Sequence, residues 1–407
     1  MQNIESTVKA RGLFKKCYEF TRADDIKADG IYPYFTPIEE SEGPVVQMKG
    51  KPVVMAGSNN YLGLTTHPEV KEAAIRALEK YGSSCSGSRY LTGTIDLHIE
   101  LEAELAEFMG KEAALLFSTG YQTGQGVITP LMGRGDYIVS DKDNHASIVT
   151  GNLQARGSLN VNILRYKHND MNDLERRLQQ IPDEAGKLVV MDGVFSGVGD
   201  IAPLNELCPI AEKYGAQVLV DDAHAFGVIG KGGRGTASEF GVEDSVDLTM
   251  CTFSKTLASI GGFVVGEERV INYLKHQSPA LIFSASPTPA SVASALAALR
   301  ILKREPHLVD KLAKNAARVR KGLKELGFNV LPGRSAIVPV LIGDDDQAFR
   351  LWKGLFEAGI FVNVFVSPAT PPNHAMMRNS FMASHENEHL DYVIDTYAKV
   401  GRELGII

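Results

Sequence analysis

QVLVDDAHAFG (residues 217–227) opens with a short run, QVLV, apolar after its first residue, that stops on two aspartates, with a histidine three residues beyond the first. Such a run is too short for a helix and lacks the alternation of a strand with one wet face. It predicts a strand buried on both faces, as in a parallel sheet sandwiched by helices. Working outward, the same pattern recurs at ALLF (114–117), YIV (137–139), KLVVM (187–191), DLTM (247–250) and GFVV (262–265). Between these runs lie helical patterns. HPEVKEAAIRALEKYG places Pro68 in a first turn and Gly82 after the last, and LHIELEAELAEFMG repeats Leu97, Leu101, Leu105 and Phe108 on one face. Alternating helices and buried strands predict an α/β fold with a mostly parallel central sheet flanked by helices.

After about residue 285 the pattern changes to long helices, TPASVASALAALRILKRE and HLVDKLAKNAARVRKGLKELG, followed by strand candidates IVPVLI (337–342) and GIFVNVFV (359–366). The expected organisation is an N-terminal segment (1–60), a large domain (61–290) and a smaller α+β C-terminal domain (291–407). In the first segment Ile4, Val8, Leu13, Phe14 and Tyr18 carry helical spacing, which suits an arm packed on another surface, such as a second subunit; a membrane-surface helix is the alternative.

Composition narrows the function classes. The 407 residues carry Lys+Arg 42 against Asp+Glu 49, a net charge of −7, with no basic stripe to suit nucleic acid. No apolar run approaches the roughly 18 residues of a membrane span, and the first residues lack the apolar core of a secretory signal. Cys17, Cys85, Cys208 and Cys251 are scattered, which favours reduced thiols in a cytoplasmic setting and no zinc site.

In an open parallel sheet, ligands bind beyond the carboxyl ends of the strands. The residues expected there are Ser118-Thr119-Gly120-Tyr121, Asp141 to His145, Asp192 to Ser196, Asp221 to His224 and Cys251 to Lys255. Lys255, set among hydroxyls and followed by Gly261-Gly262, is a candidate amine for a Schiff base with an aldehyde cofactor, its neighbours holding a phosphate. Asp221 is a carboxylate able to keep the ring nitrogen of pyridoxal 5'-phosphate protonated.

GSNNYLGL (57–64), GSRYLTGT (87–94), NHAS (144–147), DGVFS (192–196), VDDAHAFG (220–227) and TFSK (252–255) together resemble the pyridoxal-phosphate-dependent α-oxoamine synthases, over about residues 30 to 400. The resemblance implies a fold-type I, aspartate-aminotransferase-like transferase. It further implies condensation of an amino acid with an acyl-coenzyme A thioester and, in most members, release of carbon dioxide. TFSKTLASIGGF (252–263), FSASPTPAS (283–291) and VSPATPPNHAMMRNSFMASH (366–385) are most similar to the bacterial members that use L-serine and a long-chain acyl-CoA. Members using glycine, alanine or cysteate, and a catalytically silent partner subunit, are the alternatives.

Carried over residue by residue, Lys255 would hold the cofactor and act as base, and His145 would stack on the ring and meet the substrate carboxylate. Asp221 would face the ring nitrogen and His224 the ring hydroxyl. Gly120, Tyr121, Thr252 and Ser254 would hold the phosphate, with Ser196 close to the cofactor. Ser284 and Ser286 would reach a phosphate across a homodimer interface, and Arg378 with Asn59 would bind the amino-acid carboxylate. Two motifs are set aside. GKGGRG (230–235) does not join strand to helix and is expected to be a mobile loop near the site mouth; HENEH (385–389) is expected to start a helix rather than to bind metal.

Overall fold

The computed structural model describes residues 12–41, 43–367 and 369–407. Ile4 and Val8 of the expected arm lie outside them, while Leu13, Phe14 and Tyr18 sit on short helical turns and are exposed. Three short strands follow, β1 (Glu40–Ser41), β2 (Val45–Met48) and β3 (Lys51–Met55).

The central sheet comes next in the chain: β4 (Ala113–Phe117), β5 (Tyr137–Asp141), β6 (Asn162–Tyr166), β7 (Lys187–Asp192), β8 (Gln217–Asp221), β9 (Leu248–Thr252) and β10 (Gly262–Gly266). Their order is β4-β10-β9-β8-β7-β5-β6. All neighbours are parallel except β10, which runs antiparallel to both β4 and β9. The apolar runs have a direct cause. Leu188 and Val190 of β7 enter the core on one face, Val189 and Met191 the core on the other. The edge strand β6 was not foreseen, because Asn162 and Arg165 are exposed and break the run.

The C-terminal strands are β11 (Asn329–Val330), β12 (Ile337–Gly343), β13 (Ile360–Phe361), β14 (Asn363–Phe365) and β15 (Ala375–Ser380). The expected single strand over 359–366 is divided. β13 pairs in parallel with β3, and β14 pairs with β15 in a second sheet ordered β11-β12-β15-β14. Residues 40–55 of the expected N-terminal segment are thus hydrogen-bonded into a sheet completed by C-terminal residues.

The predicted helices form at Pro68–Tyr81, Asp96–Met109, Pro289–Arg304 and His307–Glu325. The first is capped by the His67 side chain and ends at Gly82, whose φ of 80° suits glycine. HENEH does open a helix: Glu386 caps Asn387–Glu403, with the His389 ring reaching back to its N–H. Among the described residues no acidic, histidine or cysteine cluster could hold a metal ion, and no helix is long and apolar enough to cross a membrane.

Candidate active site

A cavity of about 630 Å³ opens at the carboxyl ends of the central strands. It gathers every predicted site residue except Ser284 and Ser286. One wall comes from β4, whose exit turns into the Gly120–Leu131 helix, capped by the Thr119 side chain on the Gln122 N–H at 3.1 Å. The first N–H groups of a helix have no helical partner and attract anions. Thr252 Oγ1 lies 2.9 Å from Ser254 Oγ, and a Cβ on Gly120 would come within 2.5 Å of the Thr252 side chain. Only glycine lets the Thr252 hydroxyl crowd against this helix terminus, and the cradle fits the phosphate of pyridoxal phosphate.

From β5 the chain reaches His145, the cap of the Ala146–Leu159 helix. The Ser147 N–H donates to His145 Nδ1 at 3.3 Å, with Ser147 Oγ 2.8 Å away. A neutral imidazole with Nδ1 accepting carries its proton on Nε2. Burial lowers the His145 pKa and favours that neutral form, against the pull of the Asp221 carboxylate. The Tyr121 ring meets His145 edge-on at 6.4 Å, and its hydroxyl is 2.7 Å from Thr150 Oγ1.

Asp221 closes β8 and is buried, its Oδ1 taking the Ala223 N–H at 3.0 Å. Burial raises its pKa, opposed by the Lys255 ammonium, so a further cation in the cavity would keep it ionised. His224 Nδ1 is 2.6 Å from the Tyr61 hydroxyl. Lys255 follows β9; burial lowers its pKa and brings its amine toward the neutral, nucleophilic form.

Arg378 enters from β15, an element the sequence did not reveal, and is buried. Its Nε donates to the Ser196 carbonyl at 2.7 Å, its Nη1 to Asn59 Oδ1 at 3.1 Å and to Ser380 Oγ at 3.3 Å. Among the described residues no carboxylate pairs with it. A buried guanidinium without an anion is costly, so the cavity is built for one to arrive.

Ser284 and Ser286 lie outside the cavity. The Ser286 N–H donates to the Gly87 carbonyl at 2.9 Å, while its Oγ is buried without a partner. The GKGGRG loop is also away from the cavity, and hydrogen bonds from the Gly227 N–H to Gly233 O (2.7 Å) and from the Gly235 N–H to Ile229 O (3.0 Å) tie it down. This corrects the expected loop at the site mouth. Sequence reasoning had not assigned Asp192, Tyr61, Asn363 or Phe365, of which Asp192, Asn363 and Phe365 line the cavity. Asp192 was visible as a strand-end carboxylate; Tyr61 had no signal beyond its place in GSNNYLGL.

Residues 51–396 match the family model for aminotransferase class I and II. The chain is 47% identical to the serine palmitoyltransferase of Sphingobacterium spiritivorum over 97% of this chain and 98% of that one. It is 41% identical to the 8-amino-7-oxononanoate synthase of Thermoanaerobacter pseudethanolicus, over 95% and 97%. Among solved structures, the serine palmitoyltransferase of Sphingomonas wittichii superposes with a TM-score of 0.93 at 38% identity, covering 98% of this chain and 100% of that one. A variant of the enzyme from S. paucimobilis, with pyridoxal phosphate and myriocin bound, gives 0.94 at 37%, covering 98% and 100%.

Proposed function

The chain belongs to the class I and II aminotransferase family, in its pyridoxal-phosphate-dependent α-oxoamine synthase branch, and we propose that it is a serine palmitoyltransferase. The reaction joins L-serine to palmitoyl-CoA, giving 3-ketodihydrosphingosine, carbon dioxide and free CoA. A bond forms between the serine α-carbon and the acyl carbonyl carbon, and the thioester C–S and α-carboxyl bonds break. The observation that carries the amino-acid half is Arg378, a buried guanidinium with no carboxylate partner among the described residues, in the cavity that holds Lys255. The acyl half and the choice of serine rest on the relatives.

When bound, pyridoxal phosphate supplies a ring that accepts the electron pair left at the amino-acid α-carbon. The residues around it divide the remaining work. The Lys255 amine would hold the cofactor, and as a free amine beside the α-carbon it would take the α-proton. Asp221 would stabilise positive charge on the ring nitrogen, and His224, set by the Tyr61 hydroxyl, would meet the ring hydroxyl. Gly120 and Tyr121 N–H groups with Thr252 and Ser254 would hold the phosphate, and Ser196 lines the same cavity. Arg378 and Asn59 grip the serine carboxylate, a forked geometry that a lysine cannot supply. His145 offers its Nε2–H to the same carboxylate and so orients the α-carbon bonds.

A cytoplasmic homodimer belongs to this reading. Phe283, next to Ser284 in the chain, is 86% exposed, and Leu91, four residues after the Gly87 that pairs with Ser286, is 76% exposed; large apolar side chains so exposed suit a covered interface. Sedimentation should show a dimer; a fully active monomer would exclude it. The use of alanine, as a second reading, is favoured by the likeness to 8-amino-7-oxononanoate synthase. The chemistry is decided by supplying serine, glycine, alanine and cysteate separately with palmitoyl-CoA and weighing the product. A ketone from serine alone is expected, and one formed only from another amino acid overturns the assignment.

A further inference from the structure

One carboxyl group in the cavity wall is tied to the backbone of the residue that faces the substrate. Asp192 ends β7, is 3% exposed and lines the cavity. Its Oδ1 accepts the His145 backbone N–H at 3.2 Å, and its own N–H donates to Asn144 Oδ1 at 2.9 Å. Asn144 Nδ2 donates to the Val190 carbonyl at 2.8 Å and to Ser140 Oγ at 2.9 Å. These bonds latch the exit of β5 onto the end of β7, at the turn where His145 leaves the sheet. His145 has φ −57° and ψ 149°, outside the helix it caps, so its N–H needs a partner elsewhere. Ser147 fixes the ring from the other side through Nδ1.

We propose that Asp192 is a positioning residue: through the His145 N–H it sets where the imidazole stands over the cavity, and so which bond of the bound amino acid is aligned to break. The inference rests on the role given to His145 above. A displacement of about 1 Å in such a group can cost on the order of a hundredfold in rate, and the latch is the hydrogen bond that stops the capping residue from swinging. Burial, and then the neighbouring Asp221 carboxylate, hold the Asp192 carboxyl well above the usual range. A neutral carboxyl and a carboxylate both present an oxygen to the His145 N–H. The latch therefore depends on an acceptor of the right shape rather than on charge.

Two variants of the holoenzyme separate these properties. Asp192→Asn keeps an acceptor oxygen in place, whereas Asp192→Ala removes it. Amide hydrogen exchange at residue 145 should be about tenfold or more faster in Asp192→Ala and unchanged in Asp192→Asn. In Asp192→Ala condensation should slow about a hundredfold, serine affinity should stay within a few-fold, and abortive products from serine alone should rise; Asp192→Asn should restore fidelity. Should Asp192→Ala not fold, Asn144→Ala cuts the other half of the latch and should quicken the same amide. The proposal is overturned if Asp192→Asn is as slow as Asp192→Ala, which would make charge the operative property. A protected amide with faithful product in Asp192→Ala also overturns it. The exchange measurement needs no substrate, so a wrong choice of amino acid cannot be mistaken for a failed latch.

Discussion

Two cavities of similar size open at opposite ends of the central sheet, about 630 Å³ at the carboxyl ends of the strands and about 660 Å³ at the amino ends. One lysine and two aspartates line the first, two lysines and three aspartates the second. At the amino ends these groups, the exposed Asp244 apart, are committed to closing loops. Lys111 Nζ donates to the carbonyls of Glu243 (2.7 Å) and Val246 (2.8 Å), and Lys187 Nζ to that of Asp183 (3.0 Å). Asp247 accepts the Val218 N–H at 2.7 Å, and Asp136 those of Gly133 (2.6 Å) and Gly186 (3.2 Å). At the carboxyl ends, Lys255 Nζ has no protein hydrogen bond among the described residues, and Arg378 has no carboxylate. Volume does not separate a site from a crevice here; uncommitted buried charge does, because a fold that gains nothing from such groups tends to lose them.

The contrast can be broken most severely at Lys255. Lys255→Ala should bring turnover below detection, since proton transfer alone is worth roughly 10²–10⁴-fold and the cofactor tether is lost as well. Borohydride should fix the cofactor to Lys255 in the wild type; an adduct mapped to Lys111 or Lys187 would reverse the assignment of the two cavities. Arg378→Ala comes next. Removing a buried charged partner costs about 2–5 kcal/mol, so serine affinity should fall roughly thirty- to several-thousand-fold while acyl-CoA binding changes little. Spectral titration with serine measures this, and an unchanged affinity places the carboxylate elsewhere.

Lys187→Met probes the other end. One carbonyl hydrogen bond is lost, so stability should fall by about 1 kcal/mol and catalysis should not change. A large drop in turnover would mean that the amino-end cavity takes part in the reaction. A pH dependence, with no expected effect on turnover, is set at His168, which lies 3.1 Å from Asp141 and 2.6 Å from Asp200. Burial lowers the pKa of this imidazole, but hydrogen bonds to the two carboxylates outweigh that and raise it to about 10. A raised histidine stabilises the fold fully below its unfolded value near 6.5 and loses that contribution as pH climbs through about 10. The stability gap between wild type and His168→Gln should therefore be widest below pH 6.5 and shrink at high pH. A flat gap would show that His168 acts by packing, against Phe195 at 4.3 Å.

What the sequence disclosed follows the same physics. Strands buried on both faces leave uninterrupted apolar runs, so six of the seven central strands were legible, and polar residues just past them mark the rim. The exposed Asn162 and Arg165 hid β6. β15 was hidden for the opposite reason, since Arg378, Asn379 and Ser380 are polar yet buried. Their partners lie far along the chain: Asn379 Nδ2 donates to the Val338 carbonyl at 3.0 Å and Ser380 Oγ to that of Ser58 at 2.7 Å. Local pattern cannot register a strand stabilised by distant acceptors. The division between β13 and β14 was hidden too, because both halves are apolar and only the pairing partners differ.

That division bears on how the protein is made. β3 waits for β13, and Asn59 meets Arg378 across a separation of 319 residues. At roughly 5–20 residues per second, a ribosome needs about 15 to 60 seconds to supply the second half of that pair. Throughout that interval the nascent chain carries β3 without its parallel neighbour and Asn59 without its guanidinium. The carboxylate grip is therefore the last part of the cavity to be assembled, after β9 and the Lys255 that follows it have left the ribosome.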